Sequence, residues 1–212
     1  MNFLHRLIGT NDIFFDLLED GAEEAKVSVD LFAKFLHQMD DGKQPAGLDD
    51  FIQARRKEKR IRHLMTDALT KTFVTPLDRE DIETLSVALY RIPKQVEKIV
   101  ERLSIYPGRV PHEMFGRQAE LMSQAAGSLV FMVKQLRQGS KLSSIREAND
   151  RLQYAEGEAD KVMLEQLQGL YKGPCAAKEL VILQKLFEMV EQAVDRCRNA
   201  GNIVVQVALK HS

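Results

Sequence analysis

The sequence predicts an all-α protein of six long antiparallel helices forming two three-helix-bundle repeats. Three observations lead there. Gly and Pro are sparse and clustered, as breaks between long elements require. The clusters are Asp40 to Pro45, Thr75-Pro76, Ser104 to Pro111, Gly139-Ser140 and Gly173-Pro174. The stretches between them show helical spacing and no sustained period-2 alternation. Short breaks between long amphipathic helices make consecutive helices antiparallel neighbours, hence a bundle.

Six segments follow in order: residues 11–40, 47–73, 78–104, 112–138, 141–172 and 176–210. The first carries Phe14-Phe15 and the run Val27 to Leu36. The second is dense in Lys and Arg. The third places Ile82, Ser86, Leu89, Pro93, Val96, Val100 and Leu103 on one stripe. Asp78 with Asp81 just after Pro76 resembles an acidic capping box, and Pro93 is expected to kink this helix or loosen one turn. The fourth is apolar on more than one face through Met122, Leu129, Val130, Phe131 and Met132. One face must pack within its repeat. The other serves the second repeat or a second chain, so a homo-oligomer is expected. The sixth is the clearest helix, with Leu183, Phe187, Val190, Val194, Cys197, Gly201, Val204 and Ala208 alternating steps of four and three.

Composition excludes several classes. A formal net charge of −1 argues against a nucleic-acid-coating protein. Charged residues at 29% and hydrophobic residues at 44% fit a folded protein rather than a disordered one. The two cysteines, Cys175 and Cys197, are too few for a disulfide framework and fit a reducing cytoplasm. The apolar stretch 125–133 is far short of the ~20 residues a membrane span needs. The N-terminus does not resemble a signal peptide. A cytoplasmic location is expected, with any membrane reached through a partner.

A loose echo of Val27 to Leu36 recurs at Ser128 to Leu136, and the Ser104–Pro111 break falls where a duplicated unit would join. We place the repeats at 1–106 and 107–212, together one compact domain.

Catalytic signatures are missing: no Walker loop, Gly-x-Ser-x-Gly, His-Glu-x-x-His, Cys-x-x-Cys or Gly-x-Gly-x-x-Gly. No histidine has a Glu three residues before it, which rules out the Glu-x-x-His motif of di-iron bundles. Carboxylates are the exception. Glu156 and Asp160 are spaced i, i+4 on the fifth segment, and Glu191 and Asp195 on the sixth. Each pair follows a core pair by one residue, so both flank the seam between two helices. Glu188 and Glu158 lie nearby. Carboxylates about 6 Å apart repel by about 3 kcal/mol per pair at an effective dielectric of 20. Solvent, cations from Lys or Arg, shared protons or a metal must relieve this. An all-oxygen set suits Mg, Ca, Mn or oxidised Fe rather than Zn or Cu. The plain alternative is a solvated helix face.

The run Thr72-Phe73-Val74-Thr75-Pro76-Leu77-Asp78-Arg79-Glu80-Asp81-Ile82 resembles the signature of the PhoU-like phosphate transport regulators. It is closest to the divergent branch often encoded beside inorganic phosphate transporters. Phe14 to Leu18 and Glu156-x-Glu158-Ala159-Asp160 also fit, and the resemblance spans essentially the whole chain. It implies two three-helix repeats with Glu/Asp-x-x-x-Asp metal motifs on two helices of each. The second repeat keeps that pattern at Glu156, Asp160, Glu191 and Asp195. Counting back 101 residues gives Arg55, Lys59, Tyr90 and Lys94, so the first site has been overwritten. Arg55, Arg56, Lys57, Lys59, Arg60 and Arg62 make that stretch strongly basic. Arg55, Arg56, Lys59, Arg62 and Lys94 form a candidate docking or anion patch. The alternatives are internal ion pairs with Glu97, Glu101 or Glu58, or a solvated face. The resemblance implies a non-enzymatic accessory of phosphate transport that contacts a phosphate transporter or another signalling protein. The competing expectation is a carboxylate-bridged metal bundle for metal storage or metalloenzyme chemistry.

Overall fold

The computed structural model describes residues 3–40, 47–106, 112–139 and 142–211, with side chains from 12–39, 47–106, 113–139 and 142–211. Most of the breaks at Asp40 to Pro45 and Ser104 to Pro111, and Ser140, lie outside the described residues. The helices are α1 Phe3–Asp40, α2 Leu48–Lys71, α3 Arg79–Ser104, α4 Gly116–Arg137, α5 Leu142–Lys172 and α6 Ala177–Lys210. A single 3-10 turn, His112–Met114, precedes α4. No strand occurs among the described residues.

The stripes read from the sequence are the buried faces. Every named stripe residue of α3 is buried, and so is every one of α6 except the half-buried Ala208. Four helices make the centre: α1 packs on α3 and α4, and α6 packs on α3 and α4. The other two lie outside them, α2 on α1 and α3, α5 on α4 and α6. Phe14, Phe32, Phe35, Phe51 and Phe115 are completely enclosed. Each contributes about 1.5–3 kcal/mol by leaving water. Phe35 and Phe51 join α1 to α2 in an edge-to-face pair with centroids 5.8 Å apart. Phe115 meets Phe187 of α6 at 5.2 Å.

Met122, Leu129, Val130 and Met132 are buried inside the chain, because α4 packs against α1, α5 and α6 together. The extra apolar face of α4 therefore joins the two halves. Only Phe131 is substantially exposed among those five residues. Polar contacts run along the same junction. Arg137 reaches Asp16, Glu19 and, at 3.8 Å, Asp12 on α1, and Lys134 pairs with Glu23 at 2.6 Å.

One local expectation needs correction. Asp78 is the N-cap residue of α3, but its side chain makes no cap hydrogen bond. Lys210 competes for it, 3.8 Å from Asp78 and 2.7 Å from Asp81. The capping box therefore does not form. Helix α3 runs through Pro93 as one element, short of one backbone bond there. The pyrrolidine removes only the amide that would reach the Leu89 carbonyl, which one helix turn tolerates here. At the other end of α4, Gly139 turns the chain at φ +55, a left-handed conformation suited to a residue without Cβ.

Candidate functional site

Helices α5 and α6 approach closely. A Cβ on Gly201 would stand 2.8 Å from Leu152 Cδ1. Ala155 and Ala159 on α5, and Val190 and Val194 on α6, are buried in this seam. The residues after them, Glu156, Asp160, Glu191 and Asp195, therefore emerge along its edge. Asp160 is exposed and the other three are half-buried.

Glu191 feels the other three acids. Glu191 is pushed up to about 7, first by burial and then by the charges of Asp195, Asp160 and Glu156, with Arg198 opposing. Arg198 was not singled out in the sequence. Its Nη2 donates to Asp195 and its Nε lies 3.4 Å from Glu156 Oε1. Asn199 donates to the other Asp195 oxygen at 2.8 Å. A guanidinium thus bridges α5 and α6 among the carboxylates, and its own pKa is raised, chiefly by the bond to Asp195. Glu188 and Glu158 belong to local pairs instead, with Lys185 at 3.1 Å and Lys161 at 2.6 Å.

The donor set suits a hard cation in kind, oxygens only and two from each helix, but no three of these four acids bring ligand atoms within 4.8 Å of one another. Arg198 already supplies part of the compensating charge, so an ion would have to displace it. Among the described residues, one group of three brings ligand atoms within 4.8 Å of one another: Asp78, Asp81 and His211. There the Lys210 ammonium bonds both Asp81 oxygens, at 2.7 and 2.9 Å.

The corresponding place in the first half lies between α2 and α3. Arg55 Nε pairs with Glu97 Oε2. Arg62 lies over the Tyr90 ring at 5.3 Å and Lys94 at 5.9 Å, both within cation–π range. The same 101-residue offset that relates Arg55 to Glu156 also relates Glu97 to Arg198. The two ion pairs are therefore the same bridge with its charges exchanged. The basic patch divides accordingly. Arg55 serves an internal pair, Arg62 and Lys94 are exposed beside Tyr90, and Arg56 and Lys59 face solvent.

One acid stands apart from both sites. Glu58 on α2 is 1% exposed and its Oε2 has no hydrogen-bond partner. It points at Gly21 on α1, where a Cβ would meet Oε1 at 3.3 Å. Burial first, then Glu24 and Asp20, push its pKa up to about 8. Glu24 is also raised by burial, and its nearest cation is Lys57 at 3.6 Å. The sequence showed Glu58 only as one partner for the surrounding cations. Its position at 58, between the core residues Ala54 and Met65, was the available signal.

No protein-family model matches the chain. The chain is 20% identical over 150 residues to the UPF0111 protein YkaA of Bacillus subtilis, covering 71% of this chain and 73% of that one. Among solved structures, a PhoU-like phosphate regulatory protein from Shewanella oneidensis superposes with a TM-score of 0.74 at 16% identity. The match covers 93% of this chain and 99% of the other. A second PhoU-like protein from the same organism gives a TM-score of 0.75 at 15% identity over the same shares. The fold is thus that of the PhoU-like helical bundles, six helices over nearly the whole chain.

Proposed function

We propose that this chain is a non-enzymatic cytoplasmic accessory of inorganic phosphate transport. It acts by contacting a phosphate transporter or a signalling protein. The observation that carries this reading is the near-complete coverage between this chain and a protein described as a PhoU-like phosphate regulator. Three features support it: the Thr72–Ile82 signature, the missing catalytic motifs and the absence of any helix long and apolar enough to cross a membrane among the described residues. The test is phosphate uptake in cells with and without the gene, with the tagged protein used to recover the transporter. Altered uptake together with transporter recovery is expected. Unchanged uptake over a range of phosphate concentrations refutes the reading.

A second reading, a carboxylate-bridged metal bundle, rests on the cluster around Glu191. In it Glu156, Asp160, Glu191 and Asp195 hold one Mg, Ca, Mn or Fe ion per chain, all in the second half. The first half repels a cation at the equivalent place. Metal content of the purified protein, compared with that of Asp160→Asn/Asp195→Asn, decides it. A metal retained equally by both refutes it.

A further inference from the structure

The outer face of α2 is rich in cations. Arg56, Lys59, Arg60, His63 and Lys71 are exposed on it. Among the described residues Lys59, Arg60 and Lys71 make no ion pair, whereas Arg55 and Lys57 are engaged with Glu97 and Glu24. Three exposed carboxylates share the helix, Asp49 and Asp50 in its first turn and Asp67 in its last third, so the cations dominate from Arg56 to His63. The stripe ends in a loop whose apex is Phe73, 100% exposed, followed by Val74 at 54%.

This loop is braced. Arg79 donates from Nη1 to the Thr72 carbonyl at 2.8 Å and from Nη2 to the Leu69 carbonyl, gripping the C-terminus of α2. Thr75 Oγ1 bonds the Leu77 carbonyl at 2.7 Å, and Leu77 is buried. The neighbours are thus anchored and the phenyl ring is held out into water. A helix with a cationic outer face and an apolar projection at its end has the charge and shape that suit an anionic interface.

We propose that α2 and the Phe73-Val74 apex dock this protein directly on an anionic lipid bilayer, with Phe73 entering the headgroup region and the α2 cations lying over the lipid phosphates. This goes beyond the proposed function, which needs only protein contacts. A flat fluid surface suits the convex apex, since no described side chain shelters Phe73.

The experiment is vesicle flotation of the full chain. Binding is expected on phosphatidylcholine vesicles containing phosphatidylglycerol and not on pure phosphatidylcholine. It should be lost at about 1 M salt, where the Debye length is about 3 Å. Lys59→Gln and Arg60→Gln should each weaken binding about five-fold. Phe73→Ser should weaken it about ten-fold. Tyr171→Ser, an exposed aromatic on α5, should leave it unchanged. The chain has no tryptophan, so Phe73→Trp gives a single fluorophore, expected to shift to the blue on anionic vesicles only. All these positions are exposed, and circular dichroism checks the fold of each variant. The proposal is overturned if the wild type ignores anionic vesicles, if the indole emission of Phe73→Trp stays at its aqueous wavelength, or if the glutamine variants bind as well as wild type. If Phe73→Ser instead impairs recovery of a protein partner while vesicles are ignored, the apex is a protein contact and the lipid proposal fails.

Discussion

Replacing Glu58 with Gln should stabilise this protein in alkaline solution and leave it nearly unchanged in acid. The carboxyl sits between α1 and α2, 1% exposed, with Glu24 and Asp20 near enough to repel it. Its pKa rises from 4.5 to about 8 in the folded chain. Below about pH 4.5 folded and unfolded chains both hold the proton, and the site costs little. As the pH climbs toward 8 the unfolded chain releases the proton and the folded chain retains it, so stability falls through that window. Above it the loss levels off. A rise of this size corresponds to about 5 kcal/mol, an upper bound because the bundle can admit water on ionisation. Gln has the shape of the protonated acid and cannot ionise. Urea unfolding at about pH 5 and about pH 9, extrapolated to water, measures the difference. The wild type should lose several kcal/mol more than Glu58→Gln between the two. Equal losses in wild type and variant would refute the burial argument for Glu58.

Four further outcomes follow from the geometry. On the metal-bundle reading, a hard divalent ion should raise the melting temperature of the wild type, by about 2.7 kcal/mol of stability at a hundred-fold excess over its dissociation constant. Asp160→Asn/Asp195→Asn should abolish that response, and a response that persists would place the ion elsewhere. Gly201→Ala should cost about 1–3 kcal/mol, because its Cβ would stand 2.8 Å from the enclosed Leu152; thermal unfolding reads it, and an unchanged melting temperature would mean α5 yields freely. Arg55→Glu should destabilise by about 3 kcal/mol, since the acid would face Glu97 across the α2–α3 seam, and adding Glu97→Arg should recover most of that; a double variant no better than the single one would deny the pairing. Lowering the pH from about 7 to about 5 should strengthen the α5–α6 contact as Glu191 takes up its proton in the fold, seen as higher amide protection factors in that seam once the intrinsic pH dependence of exchange is divided out; unchanged or lower protection factors would contradict the burial and crowding of Glu191.

The helices were legible because each carries an apolar stripe and most of their ends lie near Gly or Pro; the exception is α1, read as starting at residue 11, which begins at Phe3, where neither residue marks the start. Residue 48 follows Gly47, and α5 ends at Lys172 before Gly173-Pro174. Placement of the four carboxylates was legible for the same reason: a residue one step beyond a stripe must lie at its edge. Arg198 was not, because a basic residue three positions after an acid is an ordinary surface pattern, and only packing shows that it reaches across to Glu156. The Asp78 cap failed because Lys210, distant in sequence, arrives beside it only once α6 packs on α3. Glu58 was hidden by the cations around it; an acid in a basic stretch reads as exposed until the facing Gly21 shows the space it fills.

The exchanged ion pair has a consequence for how two similar halves sort themselves during folding. Helices carrying similar apolar stripes could dock in the wrong company, α2 on α6 or α5 on α3, with part of the apolar burial retained. In the first mispairing Arg55 would meet Arg198. In the second Glu156 would meet Glu97. Each error sets like charges together where the native arrangement sets unlike ones, and like-charge contacts of this kind cost a complex several kcal/mol. The two bridges thus act as a lock and a complementary lock: each half admits its own outer helix and rejects its sibling's.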